Sequence, residues 1–308
     1  MTSRPALVML AAGMAKRYGG CKPLAPVGPR GEAVIDLTAG DALAGGFGRV
    51  VLVIGPATGP AITYHVQRCW PEWVEVSFAD QPVPLGTAHA VLCARDSVGL
   101  EQPFAVVNAD DLYGAESFSL LAKSLLNRRE HALVAFRLRD TIVTADPVTR
   151  GTCVSDPTGH LAGITERRRI AMQPDGSFVA ADGLDPAEID GDLPVSVNLW
   201  GFQPSVWQMI EKAVTAAQPD REANGIAREA AAAARQALQN GEVLLPEVIG
   251  DALASGRAVG DPVVLLEGHG RCIGVTHATD LPVVRAEVAS MVARGLRPES
   301  PWTESKPP

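Results

Sequence analysis

The stretch that decides the fold is ALVML, Ala6 to Leu10, running straight into AAGMAKRYGGCK, Ala11 to Lys22. A short continuous apolar run reads as a strand buried on both faces. The segment after it gathers Ala11, Ala12, Gly13, Ala15, Gly19 and Gly20 with three cations, Lys16, Arg17 and Lys22. Small residues let backbone N–H groups approach an anion closely, and the cations offset the charge of a polyphosphate. A strand emptying into such a loop is the geometry of a nucleotide site at the carboxyl edge of a parallel sheet. Two phosphate motifs are excluded: Lys22 is followed by Pro23, so there is no P-loop, and no G-x-G-x-x-G is present.

Outward from this stretch, strands are expected at 50–54, 74–78, 104–108 and 132–137, separated by helices at 33–46, 60–70, 87–94 and 116–129. Such alternation predicts a parallel sheet with right-handed crossovers. From 144 to 170, short apolar runs alternate with Asp-Pro and Thr-Gly turns, which predicts an antiparallel ribbon added to the sheet. Residues 172–193, rich in Asp, Gly and Pro, read as a mobile loop. A strand at 195–202 follows, then helices at 205–217, 221–238 and 245–256. Strands at 263–267 and 271–275 and a helix at 280–294 close the chain, with 299–308 as a poorly ordered tail.

The chain has 308 residues, 46% hydrophobic and 20% charged, enough for one large domain or two smaller ones. A formal net charge of −8 argues against nucleic acid or anionic membrane as a partner, since both require clustered cations. Five scattered cysteines without a C-x-x-C point to reduced thiols and a cytoplasmic setting. The apolar N-terminus imitates a short signal peptide, but it runs into Lys16-Arg17 with no small-x-small cleavage site, so that reading is set aside.

Several side chains stand out for chemistry. Gln81, Gly86 and Thr87 lie between a strand and the TAHAVLCA helix, where an amide and free helix N–H groups can meet a base edge; a close-packed turn is the plainer reading. His89 reads as a helix residue packed beneath that place, because no acid or nucleophile adjoins it. Asp110 and Asp111 end the FAVVN strand, and adjacent carboxylates there are costly without a cation. Their hard oxygens suit Mg2+, although Asp is also a good turn residue. Asn198 is an amide within the apolar strand VSVNLWGF and needs partners, while Trp200 reads as core.

Taken together, LAAGMAKRYGGCKP, LGTAHAV, NADDLYG, ITERRR and VSVNLWGF resemble the sugar-1-phosphate nucleotidylyltransferases. The resemblance runs from Leu7 to Arg294. It implies a Rossmann-like α/β fold: a mixed, mostly parallel central sheet, helices on both faces and an antiparallel extension, in a single domain of residues 1–298. The nucleotide part would be 1–140 and the acceptor part 141–298. The implied activity joins an NTP and a sugar-1-phosphate into an NDP-sugar and pyrophosphate with Mg2+, and LGTAHAV weights the base towards UTP or dTTP. Carried over residue by residue, Arg17, Lys22 and Asp111 would be catalytic. Leu10, Ala11, Ala12, Gly13, Gln81, Gly86, Thr87 and Asp110 would bind nucleotide, and Glu166, Arg167 and Asn198 the acceptor.

Two departures matter. Ala15 replaces a usual glycine, and Gly274 stands where many members carry a second metal-binding aspartate. Asp280 is then the candidate second ligand, with a helix N-terminal role competing for it. These departures keep two alternatives open: a sugar-nucleotide-binding sensor or partner subunit, and a transferase for a non-sugar phosphate. A homo-oligomer is also left open.

Overall fold

The computed structural model describes residues 4–13, 20–144, 146–217, 242–255, 261–275 and 277–302. Arg17 and the expected helix at 221–238 lie outside these residues, as does the end of the tail beyond 302.

The strands are β1 (Ala6–Leu10), β2 (Arg49–Ile54), β3 (Val76–Asp80), β4 (Phe104–Asn108), β5 (Asp111–Leu112), β6 (His131–Arg137), β7 (Val148–Ser155) and β8 (Leu161–Met172). They continue as β9 (Phe178–Ala180), β10 (Glu188–Ile189), β11 (Pro194–Phe202), β12 (Val263–Glu267) and β13 (Ile273–Gly274). The helices that position the site are α1 (Val34–Ala44), α2 (Gly59–Cys69), α3 (Thr87–Cys93), α4 (Arg95–Val98), α5 (Ala115–Asn127), α6 (Val206–Ala216), α7 (Leu245–Ala254) and α8 (Leu281–Ala293).

Eleven of the strands form one mixed sheet. One end of it is the parallel set β3-β2-β1-β4, with β3 at the edge; Leu10 lies level with Val53 and Asn108, and Ile54 with Asp80. All four strands therefore end on the same edge. The continuous apolar sequence of β1 follows from its position: Leu7 and Met9 pack into a cluster with Ile35, Ile62 and Phe118, while Ala6 and Val8 pack with Val91, Trp200 and Ile210. Helices α1, α2 and α5 cover the first face, and α3, α6 and α7 the second. Each fully buried Val or Leu contributes about 1.5–3 kcal/mol.

Helix α1 is buried almost all round because α8 covers its outer side, where Val284 and Val288 meet Val34 and Leu37. Its two buried acids are matched accordingly. Asp36 accepts from Ala33 N–H (2.8 Å) and Trp70 Nε1 (2.7 Å) and lies 2.8 Å from His65 Nε2, while Asp41 pairs with Arg297. The start of the expected loose tail is packed as well: Trp302 lies 5.3 Å from Trp70 between ring centroids.

The fold forks at β11. One flank of this strand runs along β6, while the other pairs with β7 at Val195–Ser196 and with β4 at Trp200–Phe202. The register slips between Ser196 and Trp200, and there Asn198 takes the left-handed conformation (φ 63°). Asparagine tolerates that region better than most residues. From β7 the antiparallel extension continues through β8, β9 and β10. Here the structure corrects the expected loop at 172–193: it contains the β9–β10 pairing, with Ile189 opposite Phe178 in a small apolar cluster. The tiny strands are hidden in the sequence by their Asp-, Gly- and Pro-rich flanks. Among the described residues no helix is long and apolar enough to cross a membrane.

Candidate active site

The site is built where the parallel strands end and the sheet forks. Asp110 and Asp111 follow β4. The backbone of Asp111 is fixed on two sides, by the Thr38 hydroxyl donating to its carbonyl (2.9 Å) and by pairing of β5 with β13. One carboxylate oxygen, Oδ2, accepts from Asn108 Nδ2 (2.9 Å), and Asn108 Oδ1 in turn accepts from Asn198 Nδ2 (3.3 Å). The Trp200 indole donates to Asn198 Oδ1 (3.2 Å), so the left-handed residue at the fork is tied into the same chain of amides. Beneath them the buried Tyr113 hydroxyl accepts from Asn108 N–H and donates to the Val197 carbonyl, both at 3.0 Å. Burial and the Asp111 charge push the Tyr113 phenol well above its ordinary value, keeping it a donor.

Lys22 opens a short turn of 3-10 helix, Lys22–Leu24, and its Nζ lies 3.7 Å from Asp110 Oδ2. Asp110 is pushed up to about 7, first by burial and then by the Asp111 charge beside it, with Lys22 offsetting only part. A pair of hard oxygen donors held this closely and incompletely neutralised fits a divalent cation that takes one or two carboxylates and completes its shell with substrate phosphates. A third protein donor is not provided: among the described residues no group of three His, Cys, Asp or Glu side chains could hold a metal. Gly274 pairs directly with Asp111, and a Cβ on it would collide with Asp111 Oδ1. The glycine at this departure thus gives the Asp111 carboxylate its room.

Asp280 is not placed as a second ligand. Its Oδ2 accepts from His277 N–H (2.6 Å), its Oδ1 from the Thr144 hydroxyl (3.1 Å), and it caps the turn leading into α8. The competing helix-end role is the one adopted.

In the N-terminal loop, Ala11 N–H is spent on the Val53 carbonyl (2.8 Å), and the Leu10 carbonyl accepts from Ala109 N–H (3.2 Å). The Thr58 hydroxyl donates to the Ala11 carbonyl (2.8 Å), tying this loop to the next. Ala12 and Gly13 make no backbone hydrogen bond among the described residues, and Gly13 faces open space. Those two N–H groups are among the described donors of this loop that no carbonyl occupies.

Gln81, buried, leaves β3 on the same edge. Its Nε2 donates to the Gly86 carbonyl (3.1 Å) and to His89 Nδ1 (3.1 Å). Gly86 has φ +101°, and a Cβ there would lie 2.5 Å from the Val243 carbonyl oxygen, so conformation and space both require glycine. Val243 is zipped to this turn by bonds to Leu85 and Ala88. Thr87, expected to touch nucleotide, has its hydroxyl accepting from Leu245 N–H (2.8 Å), which anchors the start of α7.

Across the fork, Glu166 lies level with Gly151, and Gly151 with Ser196. Arg167 is the main correction on this side. It is buried on the opposite face of β8 and grips Asp182 through Nε (2.8 Å) and Nη2 (3.1 Å), with Nη2 also donating to the Leu184 and Pro186 carbonyls. Adjacent residues on a strand point to opposite faces, so Glu166 and Arg167 cannot serve one ligand together. The cation beside Glu166 is Arg168, at 2.9 Å, within reach of Glu247 on α7 at 3.8 Å. Burial and the Glu166 charge raise Glu247 from its ordinary value.

Asn108 and Tyr113 were not among the sequence candidates. Asn108 had the same signal as Asn198, an amide in an apolar strand, and Tyr113 sat within NADDLYG.

With this geometry in place the comparisons are decisive on family. Residues 7–180 match the MobA-like NTP transferase domain. The chain belongs to that family. It is also 32% identical over 145 residues to the bifunctional protein GlmU of Bradyrhizobium sp. (strain ORS 278), a match spanning 46% of this chain and 31% of that protein. The matched stretch thus covers about a third of that relative's length. Among solved structures, UDP-glucose pyrophosphorylase from Acinetobacter baumanii superposes with a TM-score of 0.59 at 16% identity, over 93% of both chains. A UDP-glucose pyrophosphorylase complexed with UDP-glucose gives 0.61 at 14% identity, over 94% of this chain and 99% of the other. At these identities the likeness is one of fold, and it agrees with the expected mixed α/β architecture.

Proposed function

We propose that this NTP transferase domain joins an NTP to a sugar-1-phosphate, releasing pyrophosphate and an NDP-sugar. The observation that carries the proposal is the strand-edge cluster in which Lys22 lies against Asp110 while Asn108 and Asn198 orient Asp111. The acceptor's phosphate oxygen attacks the α-phosphorus as the bond from that phosphorus to the β-bridging oxygen breaks, and pyrophosphate leaves. The nucleophile is already an anion, so no general base is needed. Catalysis reduces to alignment and charge stabilisation.

In this reading Asp111, with Asp110 beside it, would hold Mg2+. Such an ion, when bound, stabilises charge on the reacting phosphates. Lys22 and Arg17 would offset triphosphate charge, with Ala12 and Gly13 N–H groups as donors. Gln81 and Gly86 would face the base, with UTP or dTTP favoured. Glu166 and Asn198 would hold the acceptor, and Arg168 takes the phosphate-side role that Arg167 cannot. Support comes from the family, from the GlmU likeness and from UDP-glucose pyrophosphorylases sharing the fold.

The test is pyrophosphate release with Mg2+, crossing the common NTPs with sugar-, cyclitol- and other small-molecule phosphates. One strongly preferred pair is expected. A competing reading, favoured by Gly274 in place of a second carboxylate, is a nucleotide-binding protein without turnover; it predicts thermal stabilisation by NTP and no pyrophosphate with any acceptor.

A further inference from the structure

Gln81 is the buried amide at the proposed base pocket, and its orientation is not arbitrary. The side-chain atom 3.1 Å from the Gly86 carbonyl must be the amide nitrogen, because a carbonyl oxygen only accepts. The same nitrogen lies 3.1 Å from His89 Nδ1, which therefore presents a lone pair. The imidazole proton is then on Nε2, which faces Cys93 Sγ at 3.7 Å. Burial, with a further push from Asp80, holds the Cys93 thiol above its ordinary value, so the sulfur is a neutral acceptor. Both amide protons of Gln81 are thus turned inward, and Oε1 accepts no hydrogen bond among the described residues.

We infer that His89 is a positioning residue that locks the Gln81 amide with Oε1 towards the nucleobase, selecting a base with a ring N–H on its pairing edge. Uracil, thymine and guanine carry such a donor on the ring nitrogen of the pairing edge. Cytosine and adenine present a lone pair there, which an amide oxygen repels. In this reading His89 works through Gln81 and not on the ligands directly. It acts by accepting from the second amide N–H, so that a flipped amide would set its oxygen against the Nδ1 lone pair as well as against the Gly86 carbonyl oxygen. The inference rests on the base-facing role of Gln81 proposed above.

The test measures dissociation constants for UTP and CTP with Mg2+, by calorimetry, on the whole chain, which requires no acceptor. Wild type should prefer UTP by about tenfold or more, the scale of one buried hydrogen bond. His89→Leu removes the acceptor lone pair and should narrow that ratio several-fold. His89→Asn places an amide oxygen near the Nδ1 position and should restore it. Gln81→Leu should bring the ratio close to one. A wild-type preference for CTP, or an undiminished ratio in folded His89→Leu beside a collapsed one in Gln81→Leu, overturns the role given to His89. An undiminished ratio in Gln81→Leu overturns the base-facing reading itself. If His89→Leu does not fold, His89→Asn decides: a ratio near one in that variant contradicts the inference.

Discussion

The two halves of the candidate site recruit their residues in different ways. In the parallel half, most candidate residues follow a strand end: Leu10 into Ala11–Gly13, Asp80 into Gln81, Asn108 into Asp110 and Asp111. Strands of matched register deliver those ends to one edge, whatever faces their interiors present. In the antiparallel half the candidates lie within strands, and a side chain's face is set by strict alternation, interrupted only by bulges. There a neighbour in sequence is a stranger in space. Glu166 faces Gly151's row while Arg167 is sealed beneath the sheet against Asp182. Motif residues at a strand end can be read as a group, whereas those inside a strand must first be sorted by parity.

Substitutions can break or sharpen this contrast. Asp111→Asn, at a strand end, should cut pyrophosphate release by about a thousandfold, because the variant weakens charge pairing in the reacting centre. Lys22→Ala should lose about a hundredfold, mainly in kcat, since charge offset grows in the transition state. An effect confined to the acceptor's KM would move Lys22 away from the triphosphate.

Inside the strand, Arg167→Ala should lower the melting temperature while leaving turnover per folded molecule nearly unchanged, and Arg168→Ala should do the reverse by raising the acceptor's KM. The acid limb separates the pair further. The Arg167 guanidinium holds Asp182 far below the usual carboxylate range, so its stabilisation is complete above about pH 4 and fades as pH falls towards the folded value. Arg167→Ala should flatten that part of a melting-temperature profile; an unchanged slope would mean the clamp is not formed. The smallest effect is expected at Asp280: Asp280→Ala should cost about 1 kcal/mol of stability as a lost cap, and Mg2+ dependence of the reaction should not shift.

Most of the parallel half was legible in advance, because buried central strands advertise themselves as apolar runs and their ends carry polar residues with nowhere else to go. β3 lies only two residues later than its expected place. What escaped was long-range: that Asn108 would hold Asp111 depends on β11 slipping register at Asn198, ninety positions away. The clamp on Arg167 depends on a hairpin partner, Asp182, whose strands are two and three residues long. The parity of Glu166 and Arg167 could have been read from the sequence once 161–172 was taken as a strand. The identity of their partners could not.

The measurement closest to the central claim is pyrophosphate release and NTP binding taken side by side on wild type and Asp111→Asn. If the strand-edge carboxylate serves the transfer step, the variant should bind UTP within a few-fold of wild type while its turnover falls by about a thousandfold. Turnover close to wild type at saturating Mg2+ would contradict that account, and so would loss of binding in proportion to loss of turnover.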